Sequence, residues 1–134
     1  KQYTKQITVY NIIEQEGKDV ADKFNIQFGG NISDVHNYFD YDILINATSV
    51  GFKTQDTILN RNQIKPNSIV LDVVFVPTCT TFMKEAEAVG CTVLSGTQMI
   101  MNQACKQFEL YTNIPAPVEI YESVMNDVEQ NKPT

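Results

Sequence analysis

A single histidine, His36, and three cysteines, Cys79, Cys91 and Cys105, leave little of the usual machinery for acid–base, nucleophilic or metal chemistry. With a single histidine, histidine-rich metal sites and serine–histidine–aspartate triads are nearly excluded, and His36 reads as an ordinary surface or loop residue. The cysteines are odd in number and lack C-x-x-C spacing, which argues against a disulfide framework or a structural zinc and for a reducing compartment. Acidic residues are scattered, and pairs such as Glu85/Glu87 fall on opposite sides of a helix, as on a solvated face. Asp72 is the exception, because it interrupts the apolar run Ile69–Val76. A carboxylate there must be paired, hydrogen-bonded or set at a strand end, in the service of structure or of a ligand.

Binding is better represented than proton transfer. In an open parallel sheet, ligands sit beyond the carboxyl ends of the strands. Asn11, Asn46-Ala47-Thr48-Ser49 and Val73-Val74-Phe75 each close an extended segment. Small residues and Gly51 after the third segment let a ligand approach the backbone, and Gly96 does the same at the head of a long helix, where free N–H groups can meet an anion. Singly these read as turn residues; together, at successive strand ends, they read as a site. Gln103 lies four residues after Met99 and seven after Gly96, so the three share a helix face. It is either a solvent residue or a hydrogen-bonding group at the mouth of a cleft. There is no G-x-G-x-x-G, and Gly29-Gly30 alone is a weak turn signal.

The elements that must position these residues alternate. Residues 7–11 (Ile-Thr-Val-Tyr-Asn) read as a strand, and Ile13, Gly17, Val20 and Phe24 follow at helical spacing. Residues 26–28 form a second strand stopped by Gly29-Gly30, residues 42–47 a third and 68–75 a fourth. The last two are nearly continuous apolar runs, as in parallel strands covered on both faces. Thr80 or Thr81 can cap a helix bearing Phe82, Met83, Ala86 and Val89, Gly90 suits a left-handed C-cap, and 91–94 restart as a strand. Residues 96–111 read as one long helix, whose opposite face (Met101, Cys105, Phe108, Tyr111) is expected to pack. A second helix runs from Pro117 to about Val128, with Val118, Tyr121, Val124, Met125 and Val128 as its stripe. From Gln130 the chain is a polar tail. The expected fold is α/β, a parallel sheet followed by two helices.

At 134 residues and 15.1 kDa, with 43% hydrophobic and 19% charged residues, the chain can bury a core. A net charge of −6 argues against binding nucleic acid or anionic membranes, which requires basic surface. No apolar run exceeds Val73–Val76, far short of the ~20 residues of a spanning helix. The first twenty residues contain no apolar signal-peptide core. These features predict a soluble, intracellular protein, cytoplasmic, or plastid if the source is a plant.

I-N-A-T-S-V-G (45–51), L-D-V-V-F-V-P-T-C-T-T-F (71–82) and G-T-Q-M-I-M-N-Q-A-C-K-Q-F-E-L-Y-T (96–112) resemble the shikimate dehydrogenase family. The stretch from Leu71 to Met125, with Pro-Ala-Pro at 115–117, most resembles the dehydrogenase half of bifunctional dehydroquinate dehydratase/shikimate dehydrogenases. The resemblance implies NADPH-dependent, reversible reduction of 3-dehydroshikimate to shikimate in a cleft between a substrate domain and a Rossmann-like nucleotide domain. It places Asn11, Ile12 and Ile13, within the 11–16 loop, at the adenosine ribose and its phosphate. It lines the cofactor with Ala47, Thr48 and Ser49, puts Val73, Gly96 and Met99 near the nicotinamide, and turns Phe75 and Gln103 toward the substrate. Residues 1–96 would be part of the nucleotide domain, and 97–134 would pack on the substrate domain.

Three departures qualify what the resemblance implies. The family's cofactor loop reads N-R-T-x-x-R, whereas residues 11–16 read N-I-I-E-Q-E, with Ile12 and Glu16 in place of both arginines. An arginine fork matches a 2′-phosphate and a glutamate repels it, so NAD becomes an alternative to NADP. Phe75 stands where the family usually has tyrosine, removing one substrate hydrogen bond. The family's catalytic lysine and aspartate, its first Rossmann strand and its glycine-rich loop all belong upstream of Lys1. That strand would lie between the strands at 7–11 and 42–47, and the chain alone is expected to be inactive. Two alternatives share these residues: a quinate/shikimate dehydrogenase using NAD, and a non-catalytic nucleotide-binding module.

Overall fold

The computed structural model describes residues 6–34 and 41–130, and the side chains of the final helix as far as Val124. His36, the polar tail beyond Gln130 and the side chains of Met125 and Val128 lie outside what is described. The chain divides into two compact units, Lys1–Tyr38 and Phe39–Thr134.

In the first unit, β1 (Thr8–Tyr10) and β2 (Gln27–Gly30) pair in parallel, joined by α1 (Glu14–Phe24). The register runs Thr8 to Gln27 and Val9 to Phe28, then shifts so that Tyr10 faces Gly30. α1 lies on both strands and buries Gly17 and Ala21, two small residues that allow a close approach. Val20 and Phe24, at the expected apolar spacing, are instead exposed. The glycine pair does not stop β2 but lies within it. A Cβ at Gly29 would collide with the Tyr10 ring, so this glycine makes room for a cross-strand aromatic rather than for a turn.

The second unit holds β3 (Ile43–Asn46), β4 (Ile69–Asp72) and β5 (Thr92–Ser95), all parallel in the order β3–β4–β5. Between β4 and β5 runs α2 (Thr81–Glu87), and after β5 come α3 (Gly96–Thr112) and α4 (Val118–Gln130), which pack on each other. β4 is shorter than its apolar run, because the Asp72 carboxylate takes the Val74 N–H and ends the ladder there. Thr80 caps α2, its hydroxyl accepting from Met83 N at 3.2 Å. Phe82, Met83 and Ala86 turn inward with Val70, Val74, Leu59 and Ile64 to form the core.

Among the described residues of this unit, one face of the sheet is the better covered. Val70, Asp72 and Asn46 are at most 1% exposed on the side where α2 packs. The alternate residues Ile43, Ile45, Ile69 and Leu94 are between 40% and 56% exposed, so the expectation of strands buried on both faces holds for one face alone. α3 departs similarly at Tyr111, which is 83% exposed although its stripe was expected to pack. Glu85 is partly covered rather than fully solvated: it accepts a two-pronged ion pair from the exposed Arg61, at 3.0 and 2.8 Å. Among the described residues no helix is long and apolar enough to cross a membrane.

Candidate functional site

In-register pairing brings three strand ends level, since Asn46, Asp72 and Ser95 face one another across β3, β4 and β5. The residues that follow them, Ala47, Val73 and Gly96, therefore emerge side by side at the carboxyl end of the sheet. Val73 N donates to Asn46 O at 3.0 Å. A Cβ on Gly96 would stand 2.5 Å from Val73 O and 2.6 Å from Val74 O. Only glycine lets the head of α3 touch the end of β4 backbone to backbone. Ser95 caps that helix, accepting from Gln98 N, while the Gln98 side chain accepts from Ser95 N.

Ala47, Thr48 and Ser49 form an exposed turn after β3. Asn46, 1% exposed, holds it from beneath: its Oδ1 accepts from Thr48 N at 3.0 Å and Thr48 Oγ1 at 2.7 Å. Further on, Phe52 N donates to Ser49 O, and Lys53 N donates to Val76 O at 2.9 Å, tying this loop to the one after β4. The two loops also meet through Phe52 and Phe75, ring centres 6.2 Å apart and both rings about two-fifths exposed. The structure thus gathers Ala47, Thr48, Ser49, Val73, Phe75 and Gly96 at one end of the sheet. Met99 is 37% exposed one turn into α3. Gln103 is exposed and lies about 10 Å along the helix from Gly96.

Asp72, poised in the sequence between a structural and a ligand role, is 0% exposed. Its Oδ1 accepts from Asn46 Nδ2 at 2.9 Å and Val74 N at 3.0 Å, and its Oδ2 accepts from Thr80 Oγ1 at 2.6 Å. Sequence reasoning placed Asn46 at a strand end and Thr80 at a helix cap without pairing either with Asp72, and it did not single out Phe52. The need of a buried carboxylate for donors was the available signal, and it pointed to partners without naming them.

The other candidate residues belong to the first unit. Asn11 N donates to Gly30 O, and Asn11 Oδ1 accepts from Ile13 N at 3.4 Å, turning the chain from β1 into α1. Ile12 and Ile13 are 69% and 50% exposed. Glu14 and Glu16 occupy the first turn. Lys18 is committed to Glu14 at 2.6 Å and lies over the Phe28 ring, and this hydrogen bond holds the Glu14 carboxyl below its usual range. An amide and carboxylates suit a ribose diol; the loop offers no arginine to a phosphate.

The strand ends can bind and orient but offer no proton-transfer group, because both Asp72 oxygens already accept. Among the described residues no cluster of histidine, cysteine and carboxylate side chains could hold a metal ion.

No protein-family model matches the chain. It is 36% identical over 119 residues to a shikimate dehydrogenase (NADP(+)) from Pyrococcus abyssi, covering 88% of this chain and 44% of that protein. With the chloroplastic bifunctional 3-dehydroquinate dehydratase/shikimate dehydrogenase of Arabidopsis thaliana it shares 35% identity over 99 residues, 71% of this chain and 16% of the relative. Among solved structures, the shikimate 5-dehydrogenase from Listeria monocytogenes in complex with shikimate and NAD superposes with a TM-score of 0.80 at 29% identity, covering 90% of this chain and 47% of the other. The chain thus spans less than half the length of these relatives. By sequence over most of its residues and by the arrangement of its strands and helices, the chain belongs to the shikimate dehydrogenase family.

Proposed function

We propose that this chain is the C-terminal, nucleotide-binding part of an NAD(P)-dependent dehydrogenase that interconverts 3-dehydroshikimate and shikimate. The observation that carries the reading is the meeting of Ala47–Ser49, Val73 and Gly96 at one end of sheet β3–β4–β5. These residues come from the three motifs that resemble the family. Residues 1–96 belong to the nucleotide domain, and 97–134 pack against the substrate domain upstream in the same polypeptide, in a reducing, cytoplasmic or plastid compartment.

The nicotinamide, when bound, supplies or accepts the hydride. The chain's own residues bind and orient. Asn11 and the backbone of Ile12 and Ile13 meet the adenosine ribose, while Ala47, Thr48 and Ser49 line the dinucleotide. Val73, Gly96 and Met99 form the floor for the nicotinamide. Phe75 turns an aromatic face to the substrate, and Gln103 hydrogen-bonds a ring hydroxyl. The proton is handled by a lysine–aspartate pair upstream, so this chain alone does not turn over.

We further infer a preference for NAD over NADP, because Glu14 and Glu16 head α1 and Lys18 is committed to Glu14. The Listeria structure holds NAD with shikimate, whereas the Pyrococcus relative is named for NADP(+), so the inferred preference rests on the 11–16 loop alone. Steady-state oxidation of shikimate by the complete polypeptide, with NAD and NADP in parallel, tests both statements. The expected kcat/KM favours NAD by about tenfold or more, the scale of one lost charge-assisted hydrogen bond. A preference for NADP overturns the cofactor assignment, and binding of neither nucleotide overturns the function. Phe75 supports a second reading, in which quinate is the better substrate; equal or faster turnover of quinate would establish it.

A further inference from the structure

We propose that Asp72 is a positioning residue for the nicotinamide nucleotide, acting through Asn46 and Val74 without touching the ligand; this rests on the dehydrogenase reading above. Its three donors come from three segments: the end of β3, the loop after β4 and the cap of α2. Two of them adjoin residues assigned to the ligand, since Asn46 precedes Ala47 and Val74 follows Val73.

The constraint passes along Asn46. A carboxylate cannot donate, so the side-chain amide must turn its NH2 toward Asp72 and its oxygen toward the turn above. The same NH2 donates to Val50 O at 3.2 Å. The oxygen takes both Thr48 N and Thr48 Oγ1, and Thr48 Oγ1 in turn accepts from Val50 N at 3.1 Å. Both polar atoms of the Asn46 side chain are engaged, and through that side chain the far end of the 46–50 turn is linked to the carboxylate. On β4 the same Oδ1 takes Val74 N, which fixes the peptide plane between Val73 and Val74, whose carbonyl neighbour packs against Gly96. Without the carboxylate, Asn46 has no reason to hold its orientation, and Thr48 loses the acceptor for two of its bonds.

The test is steady-state kinetics of the complete polypeptide with NAD and shikimate varied independently. Asp72→Ala is expected to raise the KM for NAD about tenfold or more, the scale of a misplaced binding group, with a smaller change in the KM for shikimate. Asp72→Asn, which keeps an acceptor at Oδ1, should recover most of that loss. Thr80→Ala removes the Oδ2 donor and the cap of α2 but leaves the Asn46 and Val74 bonds to Oδ1 in place; it should lower the melting temperature and leave the KM for NAD within about twofold of the unaltered protein. Should Asp72→Ala fail to fold, Asn46→Ala deletes the same relay and is expected to raise the KM for NAD as well. A purely structural role would appear as lower stability and lower kcat with the KM for NAD unchanged in Asp72→Ala and Asn46→Ala, and that result overturns the inference. If the unaltered protein binds NAD and the variants match it, only this inference falls; if the unaltered protein binds neither nucleotide, the functional reading falls first and takes the inference with it.

Discussion

Thr80 acts in two directions through one oxygen, donating to the buried Asp72 carboxylate and accepting from Met83 N at the head of α2. Losing the cap costs about 1 kcal/mol, and leaving a buried carboxylate oxygen without its donor costs about 1–3 kcal/mol more. Thr80→Ala is therefore expected to destabilise the protein by about 2–4 kcal/mol in urea titration, whereas Thr80→Ser, which keeps the hydroxyl, should stay within about 1 kcal/mol. In the first unit, Ile12 and Glu16 are exposed. Replacing both with arginine should shift the kcat/KM ratio toward NADP by about tenfold or more without moving the melting temperature. An unchanged ratio would mean that the loop at 11–16 does not meet the ribose. The sequence made Asp72 conspicuous but not its partners. Asn46 is 26 residues away, and only the register of β3 on β4 sets the two side by side. The Phe52–Phe75 pair was hidden likewise, because the loops that bring the rings together are tied by a backbone bond from Lys53 to Val76.

The unit β4–α2–β5 was the most legible element, since an apolar strand, a threonine cap, an i, i+3, i+4 stripe and a terminal glycine all agree locally. That agreement is also where stability concentrates: Phe82 is 1% exposed and Ala86 0%. Phe82→Ala is expected to cost about 3–5 kcal/mol, read as a lower urea midpoint with an unchanged slope. What the local pattern could not show is how α2 is fastened from outside. Arg61, in the loop before β4, grips Glu85 with two guanidinium nitrogens while its backbone N–H donates to the same carboxylate at 2.9 Å. These bonds hold the Glu85 pKa at about 2, against an ordinary 4.5. Because the folded value is the lower one, the stabilisation is complete above pH 4.5 and declines as pH falls toward 2. Glu85→Gln should therefore flatten the acid side of the stability–pH curve between those values while leaving the neutral arm nearly parallel. An unaltered acid limb would show that the pair is too exposed to matter.

At the scale of the molecule, apolar surface is distributed as in a part of a larger assembly. In the second unit, Ile43, Ile45, Ile69 and Leu94 line one sheet face at 40–56% exposure, and Leu110 on α3, Ile114 in the loop after it and Ile120 on α4 are more exposed still. In the first unit, Ile7 just before β1, Tyr10 on β1 and Phe24 on α1 are likewise open. Contiguous exposed apolar patches on sheet faces mark surfaces that other protein covers, and the chain spans 44% of its Pyrococcus relative. The 134-residue chain expressed alone is thus expected to bind an anilinonaphthalene sulfonate dye, to elute well above its 15.1 kDa mass and to show no shikimate oxidation. The complete polypeptide should bind little dye and turn over substrate. The substitution pair Ile43→Thr and Ile45→Thr separates covering from chance exposure. If the face awaits upstream protein, the pair should reduce self-association of the short chain yet destabilise the complete polypeptide, by about 1–3 kcal/mol per side chain. If the face stays open in the complete protein, the same substitutions should leave its stability within about 0.5 kcal/mol. That second outcome, or a monodisperse short chain that ignores the dye, would mean that the sheet β3–β4–β5 is finished as it stands.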